Sequence, residues 1–249
     1  MASASGIRGG ARPSTVDGWS DPRRLYWLVV GGILLYMVLD VVAQLLPPHY
    51  SPITQAESDL AVGPFGFVMT LNFINRGVLS LVFLYALVRT VRLEERGSAP
   101  LRSGVVFFTI WSVGALILAA FPTDVPNLPL SWHGAVHLVV ALVAFFGGAV
   151  GAFALADHFG ESSSLRAAKR FAFPFAILVV LLFVVEITAG FAVPRIATHY
   201  GGLTERLFLG SLLAWMFVVS VHLARRPGPA PVTVRNESSV VEPPPHRVA

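Results

Sequence analysis

With 249 residues, 55% of them hydrophobic and only 13% charged, the chain is too apolar for a water-soluble domain. It has no cysteine, which excludes disulfides, thiolate metal sites and cysteine nucleophiles. The net charge of +4 sits largely between and beyond apolar runs, so it reads as a topology signal and not as a nucleic-acid surface.

Six apolar runs are predicted as helices: 25–46, 67–88, 105–121, 132–156, 171–193 and 203–224. About 20 apolar residues at a 1.5 Å rise cross the ~30 Å hydrocarbon layer, and each run meets or approaches that length. The expected fold is all-α, a polytopic membrane protein with a six-helix transmembrane bundle over 21–226. Residues 1–20, rich in Gly, Ser, Ala and Arg, and the Pro-rich residues 227–249 are expected to be disordered cytoplasmic segments. Neither buries enough apolar surface to offset chain entropy. The first run is longer than a signal-peptide core and carries Asp40, so it is expected to stay as a helix.

Orientation follows from the basic residues. One side carries Arg8, Arg12, Arg23, Arg24, Arg89, Arg92, Arg96, Arg102, Arg166, Lys169, Arg170, Arg225, Arg226, Arg235 and Arg247. The other carries only Arg195, Arg206 and, a short way into the second helix, Arg76. The expectation is a plasma-membrane protein with both termini cytoplasmic. Asn236-Glu-Ser matches a glycosylation triplet, but it falls on the cytoplasmic side and is discounted.

Along the chain, the ionisable residues within or beside the runs fall at the outer end. Asp40 and Glu186 interrupt apolar sequence in the first and fifth helices, so each must be paired, protonated or facing a polar cavity. The first outer loop, 47–64, offers His49, Tyr50, Glu57, Ser58 and Asp59, with Ser58 or Asp59 as the expected cap of a short helix. In the second helix, Asn72, Asn75 and Arg76 share one face. They read as an inward polar seam whose guanidinium pairs with Asp40, Glu186 or Asp59; the plain alternative is a snorkelling arginine.

The second outer loop supplies Asp124, followed by Ser131-Trp132-His133-Gly-Ala-Val-His137. His133 and His137 lie four apart, a spacing that presents two imidazoles to one cation, with Asp124 as the expected third ligand of a zinc-like site. The competing reading is two interfacial histidines bonded to carboxylates across the bundle. In the fourth helix, Gly147 and Gly151 suit close helix packing, within the bundle in preference to a dimer. The third outer loop ends in Thr204, Glu205 and Arg206, with Thr204 as the expected cap of the sixth helix and Glu205 suited to its dipole. Trp132 and Tyr200 read as an aromatic belt.

The order of these motifs resembles the bacterial and archaeal membrane family called domain of unknown function 998. The likeness lies in His49-Tyr-Ser-Pro with Glu57-Ser-Asp59-Leu, in Asn72-Phe, in Phe121-Pro-Thr-Asp124 with Trp132-His133-Gly-x-x-His137, and in Gly202-Leu-Thr-Glu205-Arg206-Leu. The resemblance implies a six-helix bundle and no agreed activity.

Three functions are expected to compete. The first is an outward-facing polar pocket that binds a lipid headgroup or other small ligand, lined by Asp40, Asn72, Asn75, Glu186, Glu205 and Arg206, with membrane lipids as partners. The second is a metal-dependent lipid hydrolase. There His133, His137 and Asp124 would hold a divalent metal such as zinc, Asp59 or Glu57 would act as base, and Arg76 would meet a phosphate or oxyanion. The third is a small transporter, disfavoured because the charges crowd one surface and not the midplane.

Overall fold

The computed structural model describes residues 21–125 and 128–226. The expected disordered ends, 1–20 and 227–249, and the triplet at Asn236 lie outside the described residues. Six helices cross the fold: α1 Pro22–Leu45, α2 Gly66–Thr90, α3 Ala99–Ala120, α4 Trp132–Glu161, α5 Arg166–Ala192 and α6 Pro194–Ala224. Each contains a stretch long and apolar enough to span a membrane, and no strand occurs among the described residues. The protein is therefore an all-α, multi-pass membrane protein.

Consecutive helices pack side by side, and α1 returns to α6, so the bundle closes as a ring. Several helices outrun their apolar stretches. α3 begins at Ala99, where Ser98 accepts a hydrogen bond from Leu101 N (3.4 Å) and Pro100 occupies the first turn. α4 extends through Asp157 and His158 to Glu161.

The largest departure from the sequence expectation is α6. It begins at Pro194, with only Val193 between it and the end of α5, so the expected third outer loop is helix and Thr204 is not a cap. Pro194 suits a first helical position, where its missing N–H is no loss. The Thr204 hydroxyl instead donates to Gly201 O (3.1 Å), and Glu205, the next residue, lies well inside the helix and is buried.

Aromatic rings fill the middle of the ring of helices. Phe83 and Trp215 meet edge-on with centroids 5.5 Å apart, and Trp111 meets Phe208 in the same way at 6.5 Å. Lipid tails are as apolar as the helices, so close packing, not water exclusion, holds such a bundle together. The glycines of α4 act here. A Cβ on Gly147 would stand 2.7 Å from Phe107 O, and one on Gly151 would stand 2.6 Å from Phe108 N, both on α3. The pair works within the bundle, as expected.

The arginine-bearing end is tied by loop contacts. Glu95, in the 3₁₀ turn Leu93–Gly97, accepts from Ser162 Oγ (2.5 Å) and from Ser163 N (2.9 Å) and Oγ (2.7 Å). These donors hold its carboxyl down to about 2.

Gly151→Leu should therefore separate α3 from α4 and cost about 1–3 kcal/mol, the usual range for overpacking. Gly31→Ala adds a Cβ that meets nothing within 4 Å and should leave stability unchanged or slightly raised. Thermal unfolding of the detergent-solubilised protein, read side by side for both variants, checks the contrast.

Candidate functional site at the carboxylate end

The loop between α1 and α2 folds over the end of the bundle and docks on α6. Leu203 N donates to Ile53 O (3.0 Å), and Arg206 Nη1 donates to Pro52 O and Gln55 O (both 3.3 Å). Arg206 Nη2 donates to the Tyr50 hydroxyl (2.7 Å), which lies 2.8 and 2.7 Å from the carbonyl oxygens of Gln55 and Ala56. Gly202 permits this docking, because a Cβ there would run into the backbone of Gln55 and Pro52. The short helix expected in the loop is the 3₁₀ turn Glu57–Ala61. Its cap position is Ala56 with no side-chain bond, so neither Ser58 nor Asp59 caps it.

The docked loop drives Glu57 into the bundle, where it is 2% exposed. Its Oε1 accepts from the Tyr36 hydroxyl of α1, and its backbone N donates to Glu205 Oε2 of α6 (2.9 Å). Burial, then the neighbouring Asp40 charge, push the Glu57 carboxyl up; burial likewise pushes Asp59 up. Asn72 Nδ2 donates to Tyr36 O (3.2 Å) and Asn75 Nδ2 to Gly32 O (2.9 Å), so the polar seam of α2 faces inward and stitches α2 to α1.

Arg76 is 1% exposed, and its Nε and Nη2 have no hydrogen-bond partner. The expected ion pair with Asp40, Glu186 or Asp59 is not formed. Its guanidinium carbon instead lies 4.6 Å from the Trp111 ring centroid and 5.1 Å from that of Phe73, within cation–π range. The reason is the ring order. Asp40 lies on the α1 face turned to α6, where Arg206 Nη2 reaches its Oδ1 at 3.7 Å and Gln44 Nε2 donates to its Oδ2 at 2.6 Å. Arg76 points instead towards α3, which carries Trp111.

The second loop departs from the metal expectation. Asp124 accepts from Ser131 N (2.8 Å) and Ser131 Oγ (2.6 Å), while Ser131 Oγ accepts from Gly134 N (3.1 Å) and caps α4. Those bonds hold the Asp124 carboxyl below its ordinary range. His133 stacks on Trp132 with ring centroids 3.5 Å apart, and His137 Nδ1 lies 2.7 Å from Phe121 O. Among the described residues no three His, Asp or Glu side chains gather closely enough to hold a metal ion. The expected three-ligand site is thus not assembled: both Asp124 oxygens are engaged in ordering the start of α4, His133 lies against Trp132, and His137 meets Phe121 O.

Several of these groups do line one cavity of about 310 Å³. Glu57 and Asp59 come from the first loop, Asp124 from the second, Arg76 from α2, His137 from α4, Glu186 from α5 and Glu205 from α6. Phe73, Leu118 and Phe145 form apolar wall. Asn72, Asn75 and His133 are not part of the lining. A second, apolar cavity of about 440 Å³ runs between α1 and α6, past Leu34, Met37, Leu213 and Phe217, with Tyr36, Asp40 and Arg206 at its polar end. The two cavities share Glu57 and Leu209.

Sequence reasoning missed Tyr36 and Trp111. A signal existed for Tyr36, which precedes Asp40 by four residues and so shares its face of α1. None existed for Trp111, an aromatic in an apolar run.

The fold and the site define a six-helix membrane protein with a cluster of buried charges at one end. A family model described as "Protein of unknown function (DUF998)" matches residues 29–222, and the chain belongs to that family. No curated protein and no solved structure matches it.

Glu57 binds its proton more tightly in the folded protein than in the unfolded chain. The stability this confers is complete below the unfolded value, near 4.5, and is lost as pH rises through the folded value. The thermal midpoint should therefore fall as pH is raised from about 4 towards neutrality. Glu57→Gln, which keeps an acceptor for Tyr36, should flatten that fall; parallel slopes for variant and parent would contradict the assignment.

Proposed function

We propose that the protein binds the polar headgroup of a membrane amphiphile, or a small ligand of the same chemistry, in the cavity at the carboxylate end. The observation that carries this reading is Arg76, a guanidinium 1% exposed, lining a cavity and holding two nitrogens, Nε and Nη2, without partners. Unmade donors on a buried charge are costly, and an anionic group in the cavity would satisfy them.

The second cavity supports an amphiphile. An apolar groove between α1 and α6 that meets the polar cavity at Glu57 and Leu209 suits a chain beside its headgroup. The opposite end carries Arg23, Arg24, Arg89, Arg92, Arg96, Arg102, Arg166, Lys169, Arg170, Arg225 and Arg226, so the positive-inside rule turns the cavity to the outside of a plasma membrane. Binding is favoured over hydrolysis, for which the metal tripod is not gathered. It is favoured over transport, for which the charges would be expected nearer the midplane.

Arg76→Met keeps an unbranched stem against Phe73 and Trp111 and removes the charge. Native mass spectrometry of the full-length protein in detergent, with phosphatidylglycerol and with diacylglycerol of the same chains, tests the reading. The expected result is retention of the phospholipid over diacylglycerol by the parent, and loss of about tenfold or more in Arg76→Met, as for a charge-assisted hydrogen bond. Equal retention by parent and variant, or no preference for the phosphate, would overturn it.

A further inference from the structure

The same cavity holds a second incompletely bonded ionisable group, an acid opposite the base. Glu186 Oε2 is buried without a hydrogen-bond partner, as are Arg76 Nε and Nη2. Both residues line the cavity, yet no ion pair within 4.0 Å joins either of them to any other described residue. We propose that the ligand is a zwitterion, its phosphate or carboxylate set against Arg76 and its primary ammonium against Glu186. This rests on the reading of the cavity as a headgroup site and names the class of headgroup.

The charge pattern argues against the simpler ligands. A purely anionic group would sit among Glu57, Asp59, Asp124, Glu186 and Glu205 with one guanidinium to receive it. A purely cationic group would face Arg76 and leave its donors unmade. A zwitterion answers both.

Three of the other four cavity carboxylates already accept a hydrogen bond, whereas Glu186, beside the Thr204 side chain, keeps its Oε2 unpartnered. Glu57 Oε1 accepts from Tyr36, Glu205 Oε2 accepts from Glu57 N, and Asp124 accepts through both oxygens from Ser131. A buried carboxylate is answered best by a cation that also donates, since one group then supplies both the hydrogen bond and the opposite charge. That favours a primary ammonium over a quaternary one, which has no N–H to give. The space, about 310 Å³, suits a group of the size of an aminoalkyl phosphate. Such chemistry occurs both on lipids and as free small molecules.

The full-length protein in detergent is offered phosphatidylethanolamine, phosphatidylcholine and phosphatidylglycerol with identical chains, and separately soluble phosphoethanolamine, with retention read by native mass spectrometry. The expected order places phosphatidylethanolamine about tenfold above the other two lipids. Glu186→Gln should remove that preference while leaving the binding common to all three. Wild-type selectivity is decisive even if the variant does not fold.

Soluble phosphoethanolamine competing for the site in proportion to its own affinity identifies a free zwitterion as a ligand and supports the inference. Binding by lipid alone identifies a headgroup and supports it equally. Phosphatidylglycerol bound as tightly as phosphatidylethanolamine, with dependence on Arg76, would sink the zwitterion while sparing the anion site. Absence of any binding that depends on Arg76 would sink both.

Discussion

A charge placed among apolar helices must find a partner, lose its charge or face a polar space, and that constraint shapes one whole end of this bundle. Helices and loops answer it together. The loop after α1 reaches back over the bundle and inserts Glu57 between Tyr36 of α1 and Glu205 of α6. Arg206 meets Asp40 and also anchors the loop through Tyr50 and three carbonyl oxygens, counting that of its own helix at Gly202. The same contacts that order the loop thus neutralise the helix charges. Arg76 is the exception. It leans on two aromatic faces, Trp111 and Phe73, and leaves two nitrogens unmade.

The aromatic middle of the bundle makes such an exception tolerable. Phe83, Phe108, Trp111, Phe208 and Trp215 are fully buried and interlocked, and glycines on α4 bring α3 close enough for that packing. Trp111 takes part in both regions. Its Nε1 donates to Ser80 Oγ (3.2 Å), while its ring lies under the Arg76 guanidinium. Packed aromatic rings therefore hold the cation in place without cancelling its charge.

Much of the candidate site was legible in the chain because charge is rare within membrane-spanning sequence. Asp40, Arg76, Glu186 and Glu205 stand out on that ground alone, and three of them line the polar cavity. Partner choice was not legible. Arg76 looked ready for a carboxylate, and the spacing of His133 and His137 looked ready for a cation. Spacing along one helix places side chains on a face, but it does not say which neighbouring helix that face meets. Nor did residues 194–202, with a proline and two glycines, announce a helix; the loop after α1 meets α6 at Gly202 and Leu203.

Hydropathy and length by themselves determined six crossings and an all-helical fold, because a backbone in hydrocarbon has to satisfy its hydrogen bonds within each segment. The position of the basic residues likewise marked which end differs from the other. Only the tertiary structure decided that α1 closes against α6, that Glu57 is carried inward by a loop, and that Arg76 and Glu186 share a cavity without pairing. Those outcomes depend on contacts between residues far apart in the chain, and local periodicity carries no information about them.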